Sequence, residues 1–142
     1  MALFQWNDGN VVYLPEIDAE HRSLFLIAGE LHKALLGRTT PENVRAALRN
    51  LLAQTEQHFR HEERLMRDVD YPSYEWHKRQ HDTVRKRAKA LARGIAGGDS
   101  DAPMLLLEFL ADWLRDHTAL TDRMMASYLR NHERGHCRTA SS

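Results

Sequence analysis

His77-Lys78-Arg79-Gln80-His81 and His58-Phe59-Arg60-His61-Glu62 are the stretches on which the fold turns. Each sets two metal-capable side chains four residues apart. That spacing is about 40° around a helix axis, so both side chains share one face. Around the second stretch, Leu48, Leu51, Leu52, Thr55, Phe59, Leu65 and Met66 keep a helical period. Thr40-Pro41 opens that helix as cap and first helical residue, and Asp68-Val69-Asp70-Tyr71-Pro72 breaks it. The first stretch lies in a more polar helix from near Ser73 to about Gly94, with apolar points at Tyr74, Val84, Ala88, Leu91 and Ile95.

Two more helices flank this pair. Upstream, Asp18 reads as an N-cap before Leu24, Phe25, Ala28, Leu31 and Leu35, and Gly37 ends the helix. Downstream, the loop Gly97–Pro103 precedes Leu106, Phe109, Leu110, Trp113, Leu114, Leu120, Met124 and Leu129, with an end near Asn131–Gly135. Four long helices with short loops imply an all-α, up-down-up-down antiparallel four-helix bundle, whose core can host metal ligands. The expected organisation is an N-terminal arm over residues 1–17, the bundle over 18–131, and a flexible tail over 132–142.

The chain has 142 residues, enough for one domain with a real core. Lys plus Arg and Asp plus Glu are 20 each, so the formal net charge is zero. Bulk electrostatics therefore gives no reason to expect nucleic acid or a membrane surface as partner. The N-terminal stretch lacks the basic start and apolar block of a secretory signal, and no apolar run approaches a membrane span. The lone cysteine, Cys137, allows no internal disulfide. A cytoplasmic protein is the expectation. No large surplus apolar face is evident, which favours a monomer.

The nine histidines are the unusual feature of the composition. His21 lies three residues before Leu24 in the first helix, and His117 and Asp122 lie in the fourth. A lone buried imidazole or carboxylate is costly without partners. His21, His58, Glu62, His77, His81, His117 and Asp122 on four inward faces can instead share one cationic centre. Five imidazoles and two carboxylates exceed what one zinc ion takes. They suit two first-row metals of octahedral habit, bridged by the carboxylates. The five-residue step from His117 to Asp122 is about 140° around a regular helix. Either Asp122 reaches in from the side, or a π-type turn widens the helix there.

In these stretches the chain resembles the hemerythrin family in its bacterial single-domain form. The matching segments are Ile17-Asp18-Ala19-Glu20-His21, His58-Phe59-Arg60-His61-Glu62-Glu63, Tyr71-Pro72 leading to His77 and His81, and Trp113-Leu114-Arg115-Asp116-His117 leading to Asp122, with Trp6 in the arm. The resemblance implies a non-haem di-iron centre. His77, His81 and His117 would hold one iron, His21 and His58 the other, and Glu62, Asp122 and an oxo or hydroxo group would bridge them. It implies reversible binding of molecular oxygen at the less coordinated iron, with small anions as further ligands of the oxidised state. Leu24, Phe59, Trp113 and Leu114 match apolar lining positions of the oxygen pocket, and each also suits plain core packing.

Thr118 departs from the family, which commonly has a branched apolar residue there. Its hydroxyl is either satisfied by the carbonyl one turn back or turned toward water or a bound ligand. The second case would favour autoxidation, and with it sensing or peroxide chemistry. Carriage, storage or delivery of oxygen is therefore the main reading, without an enzymatic step. Oxygen, redox or nitric oxide sensing, or peroxidase or nitric oxide reductase chemistry at the same irons, are the alternatives. His132-Glu133-Arg134-Gly135-His136 matches the zinc-protease motif but sits at the chain's end with no third ligand. His81-Asp82 and Asp116-His117 suggest a metallophosphohydrolase only if basic groups lie over the metals. Asp18, Thr55, Glu63 and Asp116 are candidates to orient the ligand imidazoles.

Overall fold

The computed structural model describes residues 6–37 and 39–140, with side chains to Glu133. A short 3-10 turn, Asp8–Asn10, lies in the arm. Helix α1 runs Pro15–Leu36, α2 Pro41–Asp68 and α3 Tyr74–Ala96. The fourth rod is α4, Ala102–Asp116, a π-turn over His117–Thr121, and α5, Asp122–Ala140. α1 packs on α2, α2 on α3, α3 on α4, and α4 back on α1. This closed square with short loops is the expected up-down-up-down bundle, and the described residues contain no strand.

Local chemistry sets the helix ends. Thr40 Oγ1 accepts from the Asn43 amide at 3.2 Å, with Pro41 at the first helical position. Asp70 lies in the left-handed region (φ 52°) and helps end α2, a conformation that a short polar side chain tolerates. α1 starts three residues before the expected cap, because Pro15 presets the first turn. Asp18 is thus inside the helix, and its carboxylate accepts from the Val12 and Tyr13 amides at 2.9 and 3.1 Å. It ties the arm down instead of capping. At the other end α5 continues to Ala140, past the end expected near Asn131. The side chains of His136 and Cys137 lie outside the described residues, as do residues 1–5 of the arm.

One continuous core spans the bundle and includes Leu24, Phe25, Leu48, Leu51, Phe59, Val84, Leu106, Leu110 and Leu114. A second patch joins Met66, Tyr71, Met125 and Leu129 beyond the histidines. The fourth rod departs from its expected stripe. Leu120 is 61% exposed and Met124 45%, while Thr121, Asp122, Met125 and Ala126 face inward. The π-turn adds a residue to one turn and so shifts every later side chain around the axis.

Candidate metal centre

His21 on α1, His58 and Glu62 on α2, His77 and His81 on α3, His117 in the π-turn and Asp122 at the start of α5 are all buried. Their ligand atoms fall into two overlapping groups. One contains Glu62, His77, His81, His117 and Asp122, and the other His21, His58, Glu62 and Asp122. Both carboxylates belong to both groups. Glu62 Oε1 lies 3.1 Å from His81 Nε2 and 3.5 Å from His77 Nε2, and Glu62 Oε2 lies 3.4 Å from His58 Nε2. Asp122 Oδ1 lies 2.9 Å from His117 Nε2 and 3.1 Å from His77 Nε2, and Oδ2 lies 3.1 Å from His21 Nε2.

His81 Nε2 pairs with Glu62 Oε1 at 3.1 Å and His21 Nε2 with His58 Nε2 at 2.9 Å, but the other atoms are close without being satisfied. Glu62 Oε2, both oxygens of Asp122, and Nε2 of His77 and His117 are buried and make no aligned hydrogen bond. Burying such groups unpaired is costly. Close approach without alignment means that the atoms aim at shared points between them, as metal ligands do. Imidazole and carboxylate donors in this number suit two first-row metal ions, so the residues present fit a di-metal group.

Without a cation, the two carboxylates act on the imidazoles instead. Burial alone would depress His58, but Glu62, Glu20 and Asp122 push it up to about 10. His77 is raised to about 9 against its own burial by Asp122 and Glu62. His21 is raised in the same way, whereas burial dominates at His117 and lowers it. Burial would raise Glu62 and Asp122, but the surrounding imidazoles hold both carboxyls well below the ordinary carboxylate range.

Outer partners orient three of the five imidazoles. His58 Nδ1 donates to Glu20 Oε1 at 2.6 Å, His81 Nδ1 to Glu63 Oε2 at 2.8 Å, and His117 Nδ1 to Gln80 Oε1 at 2.8 Å. Each bond leaves Nε2 for the centre. Of the four expected orienting residues only Glu63 serves. Thr55 Oγ1 donates to the Leu51 carbonyl, Asp18 holds the arm, and Asp116 is exposed beside Arg115. Glu20 and Gln80 escaped the sequence reading because their partners lie on other helices. Their only signal was adjacency to His21 and His81. His61 is half-buried and donates to Glu20 Oε2 at 2.7 Å. Asp82 turns away to Lys78 and Arg85, so neither histidine–aspartate pair of a metallophosphohydrolase is assembled.

Aromatic side chains wall the three-histidine side. Phe59 stacks on His81 (4.0 Å between centroids, 8° between planes) and meets Trp113 edge-on at 5.2 Å. Trp113 stacks on His117 at 4.1 Å. Leu24 and Leu114 are buried in the same core. Thr118 Oγ1 donates to the Leu114 carbonyl at 2.6 Å and accepts from Asn10 Nδ2 at 2.8 Å.

The hemerythrin HHE cation binding domain matches residues 13–129. The chain belongs to the hemerythrin family. It is 27% identical over 129 residues to a bacteriohemerythrin of Ralstonia nicotianae, covering 91% of this chain and 90% of the relative. It is 30% identical over 115 residues to that of Aquifex aeolicus, covering 80% and 87%. Myohemerythrin-1 of Phascolopsis gouldii is 25% identical over 119 residues, covering 84% and 88%. In fold, the chain matches a crystal structure of a hemerythrin point mutant with a TM-score of 0.83, over 91% of this chain and 98% of the other, at 22% identity. Among the described residues no helix is long and apolar enough to cross a membrane.

Proposed function

We propose that this hemerythrin-family chain holds two iron ions and binds molecular oxygen reversibly as a carrier, store or donor of oxygen. His77, His81 and His117 hold one ion, His21 and His58 the other, and Glu62 and Asp122 are shared. The observation that carries the reading is the asymmetry of the two groups: three imidazoles in one and two in the other, around the same two carboxylates. An ion held by His21 and His58 would have fewer protein ligands than its neighbour, and so room for an external one. Two ferrous ions held there would supply the two electrons that reversible dioxygen binding needs.

The rest is work for the chain's own residues. Glu20, Glu63 and Gln80 hold three imidazoles with Nε2 turned inward. Phe59 and Trp113 cover the imidazoles of His81 and His117, and Leu24 and Leu114 are buried in the same core. A dry wall favours reversibility, because water and anions promote irreversible oxidation. The Thr118 hydroxyl is engaged on both sides by Leu114 and Asn10. That engagement supports carriage over peroxide chemistry or sensing. The chain fits a role in the cytoplasm as a monomer.

The test is optical and analytical. The purified protein, reduced without air, is expected to hold two irons per chain. It is expected to gain a visible charge-transfer band under oxygen and lose it under vacuum over repeated cycles. A single irreversible conversion to the ferric form would overturn carriage, and fewer than two irons per chain would overturn the site.

A further inference from the structure

The interrupted helix is gripped at two places by residues that are not ligands. From α3, Gln80 Oε1 accepts from His117 Nδ1 and from Thr121 Oγ1, both at 2.8 Å. One carbonyl oxygen thus fastens the first and last residues of the π-turn. From the arm, Asn10 Nδ2 donates to Thr118 Oγ1 at 2.8 Å, and Asn10 Oδ1 accepts from the Asn7 amide at 3.2 Å. Asn10 is itself buried, 2% exposed, although it belongs to the arm. Arg123, the residue after Asp122, donates to the Gly9 and Val11 carbonyls at 3.1 and 3.0 Å.

A π-turn is a rare departure from the α-helix and persists where something holds it. Reversion to a regular helix would separate His117 and Asp122 by about 140°. The two could then no longer approach to the 2.9 Å seen here.

We infer that Gln80 and Asn10 are positioning residues that hold the π-turn, and through it keep Asp122 in register with His117 to serve both metals. Gln80 has the larger share, since it grips both ends of the turn and also sets the His117 tautomer. Asn10 makes the N-terminal arm part of the metal site, although none of the arm's described residues is among the candidate ligands. The consequence for metal binding rests on the di-iron reading above, whereas the grip on the turn does not.

The test uses the full chain and the variants Gln80→Leu, Gln80→Glu, Asn10→Leu and Thr118→Ser. In the metal-free protein, amide hydrogen exchange over residues 117–122 is expected to quicken in Gln80→Leu and Asn10→Leu. It is expected to stay near wild type in Gln80→Glu and Thr118→Ser, which keep the oxygen that is used. In the iron-loaded protein, chelator competition should find Gln80→Leu about 10–100-fold weaker in iron affinity. Asn10→Leu should lose less, and Gln80→Glu should recover most of the loss. A purely structural role predicts a lower melting temperature with unchanged exchange at 117–122 and unchanged iron affinity, and that result would overturn the inference. So would equal losses in Gln80→Leu and Gln80→Glu. If wild type held fewer than two irons, the di-iron reading would fall, and the exchange data would still decide the grip.

Discussion

Helix α3 brings His77 and His81 to one face by its regular repeat, whereas the fourth rod brings His117 and Asp122 together only through a π-turn. Four residues is a spacing that any α-helix converts into a shared face. Five is not, and the turn that rescues it is fastened by Gln80 and Asn10 from outside the rod. A ligand pair written in helical period is therefore robust to its surroundings. A pair that depends on a helix defect transfers its requirements to other parts of the chain. The two carboxylates shared by both groups divide in the same way. Glu62 stands in regular register with His58, and Asp122 does not.

Changing the number of residues between the ligands should break this comparison most strongly. One alanine inserted between Lys78 and Arg79 rotates His81 by about 100° off its face. Iron content by elemental analysis is expected to fall from two per chain to one or none. Deleting exposed Ala119 shortens the His117–Asp122 step to four, which a regular helix can serve, so this chain is expected to keep most of its iron. Equal iron loss in both chains would break the contrast.

A smaller effect comes from pH in the metal-free protein. His58 and His77 have folded values of about 10 and about 9, above the ordinary 6.5 of an unfolded histidine. Raised values mean stability that is full below about 6.5 and lost as pH climbs through 9 to 10. Glu62 and Asp122 are depressed, so their contribution is present above ordinary carboxylate values and lost as pH falls through their low folded values. Thermal melts of the metal-free chain should therefore show a stability that declines in acid and again as pH rises from about 6.5 to about 10, levelling off beyond. Iron loading near pH 7 should release protons, because the metal takes neutral imidazoles. Calorimetry in two buffers of different ionisation enthalpy measures that release, and none detected would contradict the protonated state assigned to His58 and His77.

The smallest effect is expected at Asp82, which adjoins the proposed ligand His81 but, among the described residues, bonds only to Lys78 and Arg85 near the surface. Asp82→Ala should change stability by less than about 1 kcal/mol in denaturant melts. It should leave the iron count unchanged. Loss of iron would mean that sequence adjacency to a ligand matters more than the face on which a residue lies.

Local signals along the chain suffice for the helices, their order and the set of candidate ligands. Apolar period, Thr40-Pro41 and the Asp68–Pro72 break are local signals, and the HxxxH and HxxxE spacings need only helix geometry to be read. Even the strain in the fourth helix was visible, as a five-residue step that no regular helix accommodates. Tertiary structure alone decided how that step is resolved, with a π-turn instead of a sideways reach. It decided that Leu120 and Met124 face out, because the turn shifts everything after it. It assigned Glu20, Gln80 and Asn10 to His58, to His117 and to Thr118, pairs separated by 38, 37 and 108 residues. The reason is physical. A helix repeat couples residues three or four apart, while a hydrogen bond between helices depends on rotation and depth that only packing sets.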